Sequence, residues 1–408
     1  MDFKLNILKR PRLSGVFFLS ILDRVNYFLE RALLEWHVMG MIQTYGYNRD
    51  KFCERALKSG AKLYHMPYVG FTDVDLATDI AVIGDNSASK VVVMSSGLHG
   101  VELPAGSVAQ QIGLDAVGRA ASHHDLSDTK FVFVHALNPN GAYYALRTDQ
   151  DLEGGRNIDP ARNFINFASA DFIPTQANTA ISNAFDKANL SSPSLGMMWG
   201  RLLYTAFVKQ GQAEFKRNFV QGQYTNPSLP YYGGQSPCCA RTTWQEIITT
   251  EIIKPAVKKI WHFDCHTGDG PFGVLQLYLD KSAGEKTKNL AQKLIAPDKV
   301  RVTDEYFANV TGDIGEYWKT FNFPPEIDVY PITLEFGTTQ AHIPGIDILG
   351  AILNRTLLSE KYNDDHASKD IIIQRMRTAF CPTQQGWAQA VITQSQDVWN
   401  KILHNHLN

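Results

Sequence analysis

The chain lacks a long apolar run, a surplus of one charge and paired cysteines, and each absence removes a class of function. No segment approaches the roughly 20 apolar residues of a membrane span. Lys and Arg number 39 against 41 Asp and Glu, a net charge of -2. That balance supplies no field for nucleic acid or an anionic membrane, and a small substrate fits better. The five cysteines, Cys53, Cys238, Cys239, Cys265 and Cys381, are odd in number. They show neither the spacing of a structural zinc site nor that of a secreted disulfide framework, which points to a reducing, cytoplasmic setting. A basic stretch (Lys4, Lys9, Arg10, Arg12) does precede the apolar residues Gly15 to Leu22. Asp23 and Arg24 cut that run short and no small-residue cleavage site follows, so an amphipathic helix is expected there rather than a signal peptide.

What is present is ordinary globular material. The 408 residues are 44% hydrophobic and 20% charged, enough for a sizeable core and against disorder. One large α/β domain with decorations is the expectation. Apolar side chains at three- and four-residue spacing predict helices over 16–39 and 48–60, the second stopping at Gly60. Short, nearly continuous apolar runs follow at Asp79 to Ile83, Val91 to Met94, Phe131 to Val134, Ile260 to Cys265 and Pro331 to Leu334. Such runs suit strands buried on both faces of a mainly parallel sheet with helices on each side. Helices are predicted between and after them at Pro104 to Gly118, Gly284 to Leu294 and Ile346 to Glu360, with two more from Lys369. The stretch 168–250 is mixed and turn-rich near Asn226 to Pro237, and reads as an insertion covering one face rather than a second domain.

Several strands stop at reactive side chains, and in open α/β sheets ligands sit beyond the carboxyl ends of strands. Val91 to Met94 runs through Ser95, Ser96 and Gly97 into His99-Gly100-Val101-Glu102, whose three-residue separation puts an imidazole and a carboxylate on one side of a helical turn. Alone, His-x-x-Glu is a weak signal, and a solvated loop pair explains it as simply. The strand from Ile260 continues to His266-Thr267-Gly268, and its period of two places His262, Asp264 and His266 on one face, opposite Trp261, Phe263 and Cys265. His262 reads as a partly buried, hydrogen-bonded side chain. His266, at the strand end, reads as a third ligand that leaves one position for water, the way catalytic zinc is commonly held. Pro331 to Leu334 ends in Glu335-Phe336-Gly337-Thr338, and a carboxylate delivered by an apolar strand needs a partner or a task. Either an arginine pairs with it or it serves as a general base. The segment from Arg147 to Phe167 holds Arg147, Arg156, Asp159 and Arg162, a solvated charged loop or a clamp for a substrate carboxylate.

In this order the motifs resemble the zinc carboxypeptidase superfamily typified by carboxypeptidase A, and most of all its branch known only as a domain of unknown function. The likeness rests on Asp79 to Gly84, the His99 to Glu102 motif, Asn138-Pro139-Asn140-Gly141, Asn157-Ile158-Asp159, Arg162-Asn163-Phe164, Gly222-Gln223-Tyr224, Tyr232-Gly233-Gly234, Asp264 to Gly268 and Thr333 to Thr338. It extends from about Tyr45 to the C-terminus. The resemblance implies an N-terminal helical extension over 1–44 and one carboxypeptidase-like α/β domain over 45–408. That domain would be a mixed, mainly parallel twisted sheet flanked by helices, with the insertion at about 168–250. One zinc ion on His99, Glu102 and His266 is implied, with Asp159 orienting His99. Arg162 would meet a substrate carboxylate, Arg147 would bind substrate and steady the oxyanion, and Glu335 would be the base. The phenol that carboxypeptidases add has four candidates in Tyr278, Tyr306, Tyr317 and Tyr330. In two places the chain departs from the pattern. Ala161 stands where an Asn would give a terminal carboxylate one more hydrogen bond, and Leu103-Pro104 replaces a Gly, with Pro suiting the first turn of a helix.

The implied activity is zinc-dependent hydrolysis of an amide bond, in a small peptide or, as an alternative, an N-acylated amino acid. A non-catalytic zinc- or ligand-binding protein is the reading from another class, and retention of the ligand trio with Glu335 argues against it. No nucleic-acid partner and no membrane span are expected, and the sequence is silent on oligomeric state.

Overall fold

The computed structural model describes residues 44–121, 126–169, 172–186, 200–202, 204–205, 208, 211–280, 283–302, 310–320, 324, 326–339, 346–358 and 366–405. Its centre is one sheet of strands β1 (Lys62–Pro67), β2 (Ala77–Ile83), β3 (Lys90–Ser96), β4 (Thr129–His135), β5 (Lys259–Pro271), β6 (Leu275–Leu279), β7 (Val300–Val302) and β8 (Asp328–Thr339). Their spatial order is β1-β2-β4-β3-β5-β8-β6-β7. The middle four, β4-β3-β5-β8, run parallel, as do β6 and β7, while the β1-β2, β2-β4 and β8-β6 pairs are antiparallel. The parallel centre is what the apolar runs predict, and the mixed, mainly parallel sheet flanked by helices is what the resemblance implies.

The runs are nearly continuous because both faces are covered. Phe131, Phe133, Trp261, Phe263, Cys265 and Leu277 pack on one side under α1 (Tyr45–Lys58), α2 (Leu103–Ala121) and the helices Glu285–Leu294 and Gln385–Asn405. Ile80, Val82, Val91, Val93, Val132, Val134 and Ile260 pack on the other, under Trp244 of helix Cys239–Ile247 and Trp318 of helix Ile314–Thr320. Trp261, Phe263 and Cys265 thus face away from His262, as the period of two requires.

The helix expected over 48–60 runs Tyr45–Lys58, and the one expected over 16–39 lies outside the described residues. The helices expected from Lys369 are His366–Phe380 and Gln385–Asn405. Sequence reasoning missed β1, β6 and β7. β1 is an edge strand of mixed polarity and β7 has three residues, so neither carries an apolar run. Strands β5 and β8 also continue past their apolar parts, paired with each other through His266↔Glu335 and Thr267↔Phe336 to a register shift between Gly268 and Pro271. That extension sets His266 and Glu335 side by side. Within the stretch 168–250, Ile181, Phe185, Leu202, Phe215, Phe219, Val220, Leu229 and Tyr231 form a small core of their own, joined by Ile352. All five cysteines are free, and among the described residues no helix is long and apolar enough to cross a membrane.

Candidate active site

Three parallel strands deliver the site. β3 ends at Ser96, Gly97 turns the chain with φ 68°, and His99 then caps a short 3-10 turn, Gly100–Glu102, that leads into α2. Gly100 is obligatory in that turn: a Cβ there would lie 2.0 Å from the Ala142 backbone nitrogen. His266 arrives on β5 and Glu335 on β8. His99, Glu102 and His266 are all buried and each places one donor atom within 4.8 Å of the others.

The two imidazoles are oriented alike. Their Nδ1 atoms face the shared carboxylate, His99 at 3.0 Å from Glu102 Oε1 and His266 at 3.2 Å from Glu102 Oε2. Their Nε2 atoms face aspartates, His99 at 3.2 Å from Asp159 Oδ1 and His266 at 2.6 Å from Asp264 Oδ2. A carboxylate on the far nitrogen fixes ring and tautomer, which is how metal-binding histidines are usually held. Asp264 is fixed in turn by Ser95, whose Oγ lies 2.6 Å from its Oδ1 and 2.8 Å from His262 Nε2. The Trp318 indole N–H can only donate, and it gives its proton to His262 Nδ1 at 2.9 Å. His262 Nε2–H must therefore donate to Ser95, and Ser95 to Asp264. His262 is 1% exposed, more buried than the sequence suggested, and burial pushes its pKa down to about 4.

Arg147 lies across the ligand atoms. Its Nη1 bonds Glu102 Oε1, Nη2 is 3.0 Å from His99 Nδ1, and the guanidinium sits 4.7 Å from the Phe380 ring centre. A cationic group thus stands where the donors converge, which shows that the spot attracts positive charge. Burial opposes ionisation of Glu102, but Arg147, His99 and His266 outweigh it and hold the carboxyl well below the usual range. Burial likewise opposes a charge on His266, and Asp264 and Glu102 override it. Two imidazoles and one carboxylate, buried and pre-oriented, fit a divalent ion of the zinc type with a position left open.

Glu335 behaves in the opposite way. Burial, then the charge of Glu102, push its carboxyl well above the ordinary value. Its Oε1 accepts the Asp269 N–H at 2.9 Å, and among the described residues no arginine or lysine pairs with it. Arg162 lines the same cleft, but Nε and Nη2 donate to Val220 O at 3.0 and 2.7 Å and Nη1 to Ala161 O at 2.9 Å. Arg156 is exposed and borders a different cavity. Of the tyrosines, Tyr278 lines the cleft and donates to Asp269 Oδ2 at 2.6 Å, Tyr317 and Tyr330 bond elsewhere, and Tyr306 lies outside the described residues. The cleft holds about 120 Å³, and Asp269, Asp280, Asp313 and Glu316 also line it. Sequence reasoning gave no role to Asp264, Ser95 or Trp318. For Asp264 the signal was there, two residues before His266 on the same face.

Several solved structures are similar to this chain at low identity. Carboxypeptidase A from Helicoverpa armigera matches at 12% identity over 83% of this chain and 74% of that one, with a TM-score of 0.42. Bovine thrombin-activatable fibrinolysis inhibitor matches at 12% over 83% and 96%, with 0.40, and a metallo-carboxypeptidase from Pseudomonas aeruginosa at 10% over 87% and 67%, also with 0.40. No curated protein matches the chain. A family model does match, over residues 41–394, and the chain belongs to that family, described as proteins of unknown function (DUF2817).

Proposed function

We propose that this chain hydrolyses an amide bond in a small peptide or an acylated amino acid, with one zinc ion held by His99, Glu102 and His266. The observation that carries the reading is geometric: His99, Glu102 and His266 bring their donor atoms together, and Glu335 stands beside His266 across the β5–β8 ladder. Electrostatics sets the two carboxylates of the cleft apart in the same sense: burial opposes ionisation of Glu102 but cationic partners override it, while burial and then Glu102 raise Glu335 and make it the more basic of the two. Environments that drive two such groups apart separate a ligand from an acid–base residue.

When bound, zinc supplies a Lewis acid. Asp159 and Asp264 keep the two imidazoles turned toward it through their Nε2 atoms. Glu335 takes a proton from the attacking water on Oε2, the oxygen that Asp269 leaves unused, and returns it to the departing nitrogen. Arg147 bonds Glu102 here, and with an ion on that carboxylate its charge would serve the oxygen that becomes negative as the carbonyl is attacked. Arg162 adds positive charge to the wall of the cleft.

Replacing Glu335 with Gln keeps the shape and removes the proton acceptor. Turnover falls by roughly 10² to 10⁴, while metal content and melting temperature stay at wild-type values. The assay pairs a panel of peptides with N-acyl amino acids, with and without zinc, so the class turned over decides between peptidase and deacylase. A folded, metal-loaded Glu335→Gln with near-normal turnover overturns the reading.

A further inference from the structure

We propose that Cys53, His65 and Asp79, backed by His135, form a second cation site, of the zinc class, at the β1 edge of the sheet. Register pairing sets the last three in one row across neighbouring strands, His65↔Asp79 between β1 and β2 and Asp79↔His135 between β2 and β4. Helix α1 lies over that row and brings Cys53 to it. Cys53, His65 and Asp79 each place one donor atom within 4.8 Å of the others.

The independent sign of a missing ligand is His135. Its ring is 0% exposed and stacked 4.5 Å from Phe52, and its Nε2 meets Ser107 Oγ at 3.0 Å. Its Nδ1 is buried, has no hydrogen-bond partner among the described residues, and lies 4.0 Å from Asp79 Oδ2, a carboxylate oxygen of the cluster. A buried polar atom without a partner calls for an explanation, and an absent ion is one. A thiolate, an imidazole and a carboxylate are donors that zinc takes with a position left over, and the sulfur disfavours magnesium or calcium. His65 has a side chain 51% exposed, so an ion has a way in.

Arg49 is the competing cation. It holds both Asp79 oxygens, Nε to Oδ2 at 2.9 Å and Nη2 to Oδ1 at 3.2 Å, much as Arg147 covers Glu102. On coordination the Cys53 proton leaves to solvent, and the bond between His65 Nδ1 and Asp79 Oδ1 gives way to two bonds to the ion. The ion would then tie edge strand β1 to α1.

Sulfur makes the test specific, because His99, Glu102 and His266 offer none. The full chain is stripped with a chelator and titrated with cobalt(II). Wild type takes up two equivalents and develops a thiolate-to-cobalt charge-transfer band. Cys53→Ser loses that band and one equivalent. His65→Ala, at a half-exposed position where folding is not at risk, weakens the same equivalent at least about tenfold. Glu102→Gln loses the other equivalent and keeps the band, so failure of the catalytic site and failure of this one are told apart. A wild type without the band, or a band that survives in Cys53→Ser, overturns the proposal.

Discussion

The sheet carries two polar rows built from the same kinds of side chain, and they differ in how the strands present them. The row around His266 stands at the ends of parallel strands β3, β5 and β8, is buried, and gives each imidazole a carboxylate on its far nitrogen. The row around Asp79 crosses antiparallel strands near one edge, has a half-exposed His65, and meets only Ser107 behind His135. Preorganisation separates the two. In the first row both imidazoles are fixed from behind and an ion need displace only Arg147, whereas in the second Asp79 must turn from both His65 and Arg49. If both rows take an ion as proposed, the first is expected to bind it more tightly, because more of the cost of ordering has been met by folding.

Removing that preorganisation is the strongest way to make the rows alike. Asp264→Asn keeps the bond from Ser95 and weakens the hold on His266 Nε2, so affinity for zinc at the first row falls by 10- to 100-fold, roughly, while turnover per bound metal changes far less. Competition against a chromophoric chelator reads the affinity directly. An unchanged dissociation constant in Asp264→Asn would mean that orientation by the far carboxylate counts for nothing here, and the contrast between the rows would collapse.

Each row also ends in a buried neutral histidine, and these give the next largest effect. Burial pushes both His262 and His135 down to about 4. Below pH 6.5 the unfolded chain takes up protons that the folded chain refuses until about pH 4, so stability is full above 6.5 and lost as pH falls through that window. Each histidine contributes a slope of up to about 1.4 kcal/mol per pH unit. His135→Gln keeps a partner for Ser107 and removes one titration, so its stability between pH 6.5 and 5 should fall less steeply than wild type by one proton. Urea unfolding of the chelator-stripped chain at matched pH measures this, so that no ion contributes. Equal slopes would show that His135 is protonated in the folded chain.

How much of this was legible in sequence depends on where the signal lay. The central strands were readable from their apolar runs, and the approach of His99, Glu102, His266 and Glu335 from strand ends was readable from residue types after those runs. The edge row was not, because β1 has no apolar run and the register that aligns His65 with Asp79 and His135 is set by pairing, which a single sequence does not encode locally. The engagement of Arg162 by Val220 was hidden for a similar reason. Its partner lies 58 residues away, in the stretch read only as an insertion.

Arg162 gives the smallest expected effect and tests whether the cleft selects a carboxylate. A free-acid substrate and its amidated twin differ by one charge at the position where a clamp would act. Three observations weaken that clamp. The Arg162 N–H groups already serve Val220 and Ala161, Ala161 brings no side-chain amide, and the wall of Asp269, Asp280, Asp313 and Glu316 repels an anion. What remains is charge attraction without bidentate bonding, so wild type should prefer the free acid by no more than about tenfold, which is about 1.4 kcal/mol. Arg162→Gln should erase that preference and leave the amidated substrate unaffected. A bidentate guanidinium–carboxylate pair is stronger and geometrically strict. A free-acid preference of several hundredfold, lost in Arg162→Gln, would therefore mean that the side chain leaves Val220 when substrate binds, and that the selective element of the cleft is the arginine rather than its acidic wall.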